Sequence, residues 1–162
     1  MKEIKKKTSE ISVYNSENEL EDNLFVLLQK AKNILSQSYS PYSKFRVGCA
    51  LQLTDGTIIT GTNQENIAYP SGLCAERVAI FSAGNSHPHT PPEIIAITAA
   101  SEKGKVLHPP TSCGACLQVM DEYERRFGVE LTIILSGESG EVYVAQGVKT
   151  FMPWRFDSDL VG

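Results

Sequence analysis

Three cysteines and one glutamate have the residue types and spacing with which a protein can bind a metal ion and move a proton. Cys113 and Cys116 form a C-x-x-C pair at the start of one predicted helix, and Cys74 stands at the start of an earlier one. Helix N-termini stabilise thiolates through unpaired N–H groups and partial positive charge. Three protein ligands are typical of a catalytic zinc ion, which keeps a position for water, whereas structural sites have four. We predict one Zn²⁺ per chain, bound by these three cysteines.

Glu76 follows Cys74 by two residues, on the first turn of the same predicted helix. A carboxylate beside a zinc-bound water can take up a proton and return it to a leaving group, which predicts a general acid and base. A favourable first-turn charge is the alternative. The fourth cysteine, Cys49, lies in an alternating apolar run, where we expect a buried structural thiol and keep a fourth zinc ligand as the alternative.

The size and composition of the chain predict one globular domain. Of its 162 residues, 41% are hydrophobic and 21% are charged, as is usual for a folded protein with one core. We predict a loosely ordered N-terminal arm over residues 1–15 and a single domain over residues 16–162. The formal net charge of −4 disfavours a nucleic-acid partner, because such proteins usually display a basic surface.

Hydropathy predicts a cytoplasmic protein with no membrane partner. No segment reaches the roughly 18 apolar residues of a membrane span, and the lysine-rich start leads into polar sequence rather than an apolar signal core. Four cysteines in such a chain favour metal binding or catalysis over a disulfide framework.

Hydrophobic periodicity and turn residues predict three helices and five strands. Their order favours an α/β fold in which helices cover both faces of a sheet. The predicted elements are a helix at 16–35 that begins with a capping box, strands at 45–53 and 57–60, a helix from Cys74, a strand at 93–100, a helix from Cys113 to Gly128, and strands at 130–136 and 141–145.

Four blocks of the sequence resemble the cytidine deaminases of the small homotetrameric kind that act on free nucleosides. The blocks are SPYSKFRVGCAL, GTNQENIAYPSGLCAERVAIF, SCGACLQVMDE and, more weakly, MPWRF, over about residues 17 to 157. The family usually has Pro before the first cysteine of C-x-x-C and Arg after the second, where this chain has Ser112 and Leu117. The resemblance implies a three-layer α/β/α fold with a mixed five-stranded sheet.

The resemblance also implies an activity. It is the zinc-dependent hydrolysis of free cytidine and deoxycytidine to uridine and deoxyuridine, with release of ammonia, as in pyrimidine salvage. Glu76 would pass a proton to N3 of the pyrimidine and then help to protonate the departing amine. Arg77 matches an arginine that hydrogen-bonds the zinc-ligand cysteines in this family.

Six further positions match family residues that hold the nucleoside. By this resemblance Asn63 and Glu65 bind the ribose hydroxyls, and Phe45 packs against the pyrimidine. Ala75 offers its backbone to the base. Tyr69 and Phe156 match residues that reach a neighbouring subunit, which implies a homotetramer with shared active sites. From their types alone, Asn63 and Glu65 are ordinary loop residues and Phe45 is a core position.

Other functions stay open at the level of sequence. A deaminase of a related cytosine nucleoside, or of RNA or DNA, would share the zinc motif. The acidic balance and the short GESG turn speak against a polymeric substrate, since we expect nucleic-acid editors to have a helix there and parallel last strands. A non-enzymatic zinc protein with Cys49 as fourth ligand would leave Glu76 without a task.

Overall fold

The computed structural model describes residues 2–156, which form three α-helices and six β-strands. None of the helices in this range is long and apolar enough to cross a membrane. The helices are α1 (Asp22–Asn33), α2 (Ala75–Ser86) and α3 (Gly114–Phe127). The strands are β1 (Ser12–Tyr14), β2 (Phe45–Leu53), β3 (Ile58–Thr62), β4 (Pro92–Ser101), β5 (Thr132–Ser136) and β6 (Val142–Gln146).

The strands form one mixed sheet in the order β1-β6-β5-β4-β2-β3. β4 and β5 run parallel, and the other neighbouring strands run antiparallel. Two parallel strands that follow one another in the chain need a long crossover connection. α3 lies in the connection between β4 and β5. The predicted antiparallel hairpin of the last two strands is confirmed, because β5 pairs with β6 from Thr132↔Gln146 to Ser136↔Val142.

Helices cover both faces of the sheet, as the α/β/α prediction requires. On one face α1 buries Leu27 and Leu28 in a cluster that includes Ala50 of β2. On the other face α2 and α3 pack in a second cluster that includes Cys49 and Leu51 of the same strand. Successive side chains of a strand point to opposite faces, which explains why neighbours on β2 belong to different clusters.

The sheet has six strands instead of the predicted five, because part of the N-terminal arm joins its edge. β1 pairs antiparallel with β6, with Ser12 opposite Val144. The strand has only three residues and Val13 is exposed, so it leaves no alternating pattern in the sequence. The predicted boundary between arm and domain at residue 15 stays a prediction.

The first α-helix also begins later than its capping box predicts. Ser16 caps a 3₁₀ turn over Glu17–Glu19. Leu20 and Glu21 then adopt extended backbone, with ψ of 152° and 148°. This break delays the α-helix to Asp22.

Glu124 is a buried carboxylate on α3 that connects this helix to the segments after it. Its Oε1 accepts the backbone N–H groups of Leu131, at 2.8 Å, and Val148, at 3.0 Å. Burial raises the pKa of Glu124 from its ordinary value, although these two hydrogen bonds oppose the shift. Between the unfolded and folded pKa values the native state binds more protons than the unfolded chain, so the contribution of Glu124 to stability decreases as the pH rises.

We expect Glu124→Ala to lower the free energy of unfolding by about 2 to 4 kcal/mol, because it leaves two buried N–H donors unpaired. Glu124→Gln keeps an acceptor oxygen and should cost less. Because glutamine does not titrate, this variant should lose less stability than the wild type as the pH rises from about 4.5 to about 7. Urea unfolding across that range measures both effects. An identical pH dependence of wild type and Glu124→Gln would contradict the raised pKa.

Candidate active site

The N-termini of α2 and α3 bring three thiols together. Cys74 and Cys113 are the N-cap residues of α2 and α3, and Cys116 lies in the first turn of α3. Neither N-cap side chain accepts a capping hydrogen bond from the backbone N–H groups of its own helix. The sulfurs are therefore available as metal ligands, next to two sets of helix N–H groups that favour negative charge.

The distances between the sulfurs fit a tetrahedral zinc ion. The Sγ of Cys113 lies 3.9 Å from that of Cys74 and 3.5 Å from that of Cys116. All three sulfurs lie within 4.8 Å of one another. Two ligands at the usual Zn–S distance of about 2.3 Å in tetrahedral geometry are about 3.8 Å apart. Within residues 2–156 no other group of three potential ligands is found.

Arg77 and the neighbouring thiols set the charge of Cys74. Hydrogen bonding from Cys116 and from Arg77, whose Nη2 lies 3.6 Å from the sulfur, lowers the pKa of Cys74 to about 5. The pKa of Cys116 is raised in turn, because its thiol holds the proton of the hydrogen bond to Cys74 and is buried. Three thiolates carry more charge than a divalent cation neutralises, and Arg77 supplies part of the difference.

Glu76 lies beside the cluster on the first turn of α2. It is 5% exposed and lines a pocket at the helix N-termini. Burial raises the pKa of its carboxyl group, whereas a hydrogen bond from its own backbone N–H lowers it. A raised pKa brings a carboxyl group closer to the range in which a general acid and base works.

Close backbone packing against β3 fixes the position of α2. A Cβ at Gly61 would lie 2.5 Å from the carbonyl oxygen of Ala75 and 2.6 Å from the nitrogen of Ala79. Only glycine permits this approach. A side chain there would push α2 away from the sheet, and with it Cys74 and Glu76.

The pocket has a volume of about 450 Å³, which is within the range of small-molecule sites. Six of the predicted site residues line this pocket. They are Cys74, Glu76 and Cys113 from the helix N-termini, with Phe45, Asn63 and Glu65 from β2 and the segment after β3.

The other predicted site residues lie outside this pocket. Ala75 is fully buried. Arg77 and Tyr69 line an adjoining pocket that also includes Asn63 and Glu65. Tyr69 is 77% exposed and Phe156 is 73% exposed, so both rings are accessible from outside this chain.

Asn63 and Glu65 hold the pocket wall together through hydrogen bonds to the backbone. The Asn63 amide accepts the N–H of Val47 at 2.8 Å and donates to the carbonyl oxygen of Phe45 at 2.9 Å. Glu65 Oε2 accepts the two successive N–H groups of residues 42–43. An amide has two N–H groups and a carboxylate two oxygens, so each side chain keeps hydrogen-bonding capacity for a ligand.

Sequence reasoning missed Ile97 and Pro110, which also line the pocket. Ile97 is one of several apolar residues on β4. It reaches the pocket because β4 pairs with β2 in a register that places Ile97 opposite Cys49. Strand register depends on tertiary pairing, so no local signal distinguishes Ile97 from its neighbours.

Cys49 is fully buried in the core. Burial and the charge of Glu76 raise its pKa well above the usual range, which keeps the thiol neutral. It is not part of the three-sulfur group. This environment suits the packing role predicted for Cys49.

Comparison with known proteins places this site in a family. The model of the cytidine and deoxycytidylate deaminase zinc-binding region matches residues 22–129, which include the three cysteines and Glu76. A cytidine deaminase from Sporosarcina psychrophila is 42% identical over 97 residues, which are 60% of this chain and 67% of that protein. The chain belongs to the cytidine deaminase family.

Other cytidine deaminases extend the likeness to most of the chain. That of Halalkalibacterium halodurans is 38% identical over 97 residues, 60% of this chain and 69% of that protein. The crystal structure of cytidine deaminase from Burkholderia pseudomallei is 34% identical with a TM-score of 0.70, covering 81% of this chain and 97% of that one. The predicted family, fold class, enzyme class and zinc cofactor are confirmed. The roles of individual residues stay predictions.

We expect the purified protein to contain about one zinc ion per chain, because three thiolates form one site. Cys113→Ala should lose the metal and the activity together. Cys49→Ala is the matched control, since it removes a thiol outside the cluster and should keep full zinc. Atomic absorption with thermal unfolding checks both variants. Full zinc in Cys113→Ala, or zinc loss from a folded Cys49→Ala, would show that the ligands are misassigned.

Proposed function

We propose that this chain deaminates free cytidine and deoxycytidine to uridine and deoxyuridine, with release of ammonia, in cytoplasmic pyrimidine salvage. The observation that carries the proposal is one pocket lined by Glu76, two of the three clustered cysteines, and Asn63 with Glu65. Its groups can bind a metal, move a proton and hold sugar hydroxyls, which are the requirements of a nucleoside deaminase.

In the proposed reaction Glu76 moves the protons. Cys74, Cys113 and Cys116 would hold the zinc ion, which when bound would supply an acidified water as the nucleophile. Glu76 takes up a first proton from the attacking water and delivers it to N3 of the pyrimidine. It then takes up the second proton of that water, from the hydroxyl group now on C4, and gives it to the amine as the C4–N bond breaks. The water oxygen becomes the C4 carbonyl of the product, and the amine leaves as ammonia.

The nucleoside would lie between the two sides of the pocket. Phe45 packs against the pyrimidine, and the backbone of Ala75 contacts the base. Asn63 and Glu65 would bind the ribose hydroxyls with the hydrogen-bonding groups that are not used in their contacts to the backbone. Binding free cytosine would leave these polar groups unpaired, and such a loss discriminates strongly between substrates.

The alternatives receive less support from the described residues. A polymeric substrate fits poorly with the net charge of −4 and with the antiparallel β5–β6 hairpin. A closed zinc site would need Cys49 as a ligand, and within residues 2–156 Cys49 is outside the group of thiols that could share a metal ion.

The experiment that tests this proposal follows ammonia release from cytidine, deoxycytidine, cytosine, CMP and a single-stranded oligonucleotide. We expect turnover of the two nucleosides and at least about tenfold lower kcat/KM for cytosine. Glu76→Gln preserves size, so it should keep zinc while kcat falls by about 10² to 10⁴. Preference for the oligonucleotide would reject the nucleoside assignment, and near-normal turnover by Glu76→Gln would reject the mechanism.

We also propose that the chain forms a homotetramer with shared active sites. Exposed apolar patches mark interaction surfaces, and the Tyr42 and Tyr69 rings meet edge to face at 6.2 Å beside the adjoining pocket. Large apolar side chains are exposed at Tyr39, Tyr42, Ile67, Tyr69, Trp154 and Phe156.

An ion pair between a partly exposed arginine and a buried aspartate anchors the segment that carries Phe156. Arg155 Nη1 lies 2.7 Å from Oδ1 of Asp121, which is fully buried on α3. Arg125 approaches the other oxygen of Asp121 at 3.9 Å. The pair holds the backbone next to Phe156 while its ring stays exposed, which supports a role for that ring in a neighbouring site.

We expect a tetramer by light scattering at micromolar concentration. Phe156→Ala should lower activity more than zinc content, since Phe156 is neither in the three-sulfur group nor among the residues that line the two pockets beside it. Mixing this variant with Glu76→Gln should restore some activity if Phe156 acts in another subunit's site. A fully active monomer, or no restoration after verified subunit exchange, would refute shared sites and leave the deaminase chemistry intact.

A further inference from the structure

The N-terminal arm contacts the C-terminal segment through the side chain of Lys7. Its Nζ atom donates a hydrogen bond to the carbonyl oxygen of Pro153 at 2.6 Å and lies over the Trp154 ring, 4.6 Å from the ring centroid. A lysine ammonium group has three donors and is attracted to the face of an indole, so it can make both contacts at once. Lys7 and its two partners lie outside residues 22–129, which match the family model.

The arm is attached to the domain at two points, with a cavity between them. At one end β1 pairs with β6, where Ser12 lies opposite Val144. At the other end Lys7 makes its two contacts. Residues 8–11 lie between these points, are exposed, and line a cavity of about 910 Å³ that the C-terminal segment also lines. Lys7 is therefore a separate point of attachment and not part of a continuous packed interface.

The segment before Phe156 depends on side-chain contacts for its position. The 3₁₀ turn Val148–Thr150 is the last helix or strand within residues 2–156, and the Phe156 ring is 73% exposed. Packing within the chain therefore holds this ring only weakly. The ion pair of Arg155 with Asp121 fixes the residue next to it, and Lys7 fixes the two residues before that one.

We propose that Lys7 is a positioning residue that holds the C-terminal segment so that Phe156 reaches the active site of a neighbouring subunit. The inference rests on the proposed function, in which Phe156 acts in a shared site. Lys7 itself is not among the residues that line the two pockets beside the thiols. Because it acts through Phe156, its loss should affect catalysis only while the Phe156 ring is present.

The fluorescence of Trp154 tests the contact itself, because Trp154 is the only tryptophan of the chain. We expect Lys7→Ala to increase the quenching of this fluorescence by acrylamide, since the ring loses the side chain that lies over it. Lys7→Arg keeps a cation and its donors and should match the wild type. Lys6→Ala is the matched control, because Lys6 is an exposed lysine of the same arm, and it should leave quenching unchanged.

Steady-state deamination of cytidine tests the role in catalysis. Lys7→Ala should lower kcat/KM about threefold to tenfold, as for the loss of one hydrogen bond, with normal zinc content, whereas Lys7→Arg and Lys6→Ala should match the wild type. In a Phe156→Ala background Lys7→Ala should cause no further loss, because residues that act as one unit are not additive. Mixing Lys7→Ala with Glu76→Gln should restore some activity, since the second chain supplies a correctly held Phe156.

Unchanged quenching or unchanged kcat/KM in Lys7→Ala would overturn the proposal, as would an equal loss in Lys6→Ala or full additivity with Phe156→Ala. A Lys7→Ala protein that loses zinc or unfolds at a lower temperature would assign the contact to stability and overturn it too. If Phe156→Ala is fully active, the shared site fails and this inference fails with it. If the wild type does not deaminate cytidine, the proposed function itself fails, while the fluorescence comparison still decides whether the contact exists.

Discussion

The convergence of two helix N-termini is the constraint on which the rest of this molecule depends. Three sulfurs within 4.8 Å of one another repel as thiolates, and each loses hydration when it is brought into a protein. The first turns of α2 and α3 offset this cost with N–H groups that have no partner inside the helix. Arg77 adds a full positive charge beside Cys74. A bound cation completes the balance, so folding around the site and metal binding are coupled.

The sheet explains why these two helix starts meet. α2 follows β3 and packs against it closely enough that position 61 accepts only glycine. α3 lies in the connection between β4 and β5, the parallel pair in the sheet of residues 2–156. A crossover helix begins near the carboxyl end of the strand before it, the edge where sites of open α/β sheets occur. The position of α3 therefore brings Cys113 and Cys116 to the side of the sheet that α2 already covers.

Three buried acids show three ways in which this fold handles negative charge. Asp121 is paired with Arg155, and Glu124 accepts two backbone N–H groups. The contacts of both carboxylates connect α3 to other segments of the chain. Glu76 differs because it lines an open pocket beside the thiols. Of the three, Glu76 is the one that lines the pocket, which supports the proposal that it carries the proton.

The sequence by itself determined the chemistry that depends on short spacings. Cys74 and Glu76 share one helical turn, as do Cys113 and Cys116, so the zinc ligands, the carboxylate and the helices that carry them follow from local pattern. Only the tertiary structure decided that the Asn63 amide hydrogen-bonds the backbone of β2, that Ile97 lies in the pocket wall, and that β1 adds a sixth strand. Each of these depends on strand register or on the meeting of distant segments. Residue type and local periodicity carry no information about such contacts, because the energy that selects them arises when the elements pack.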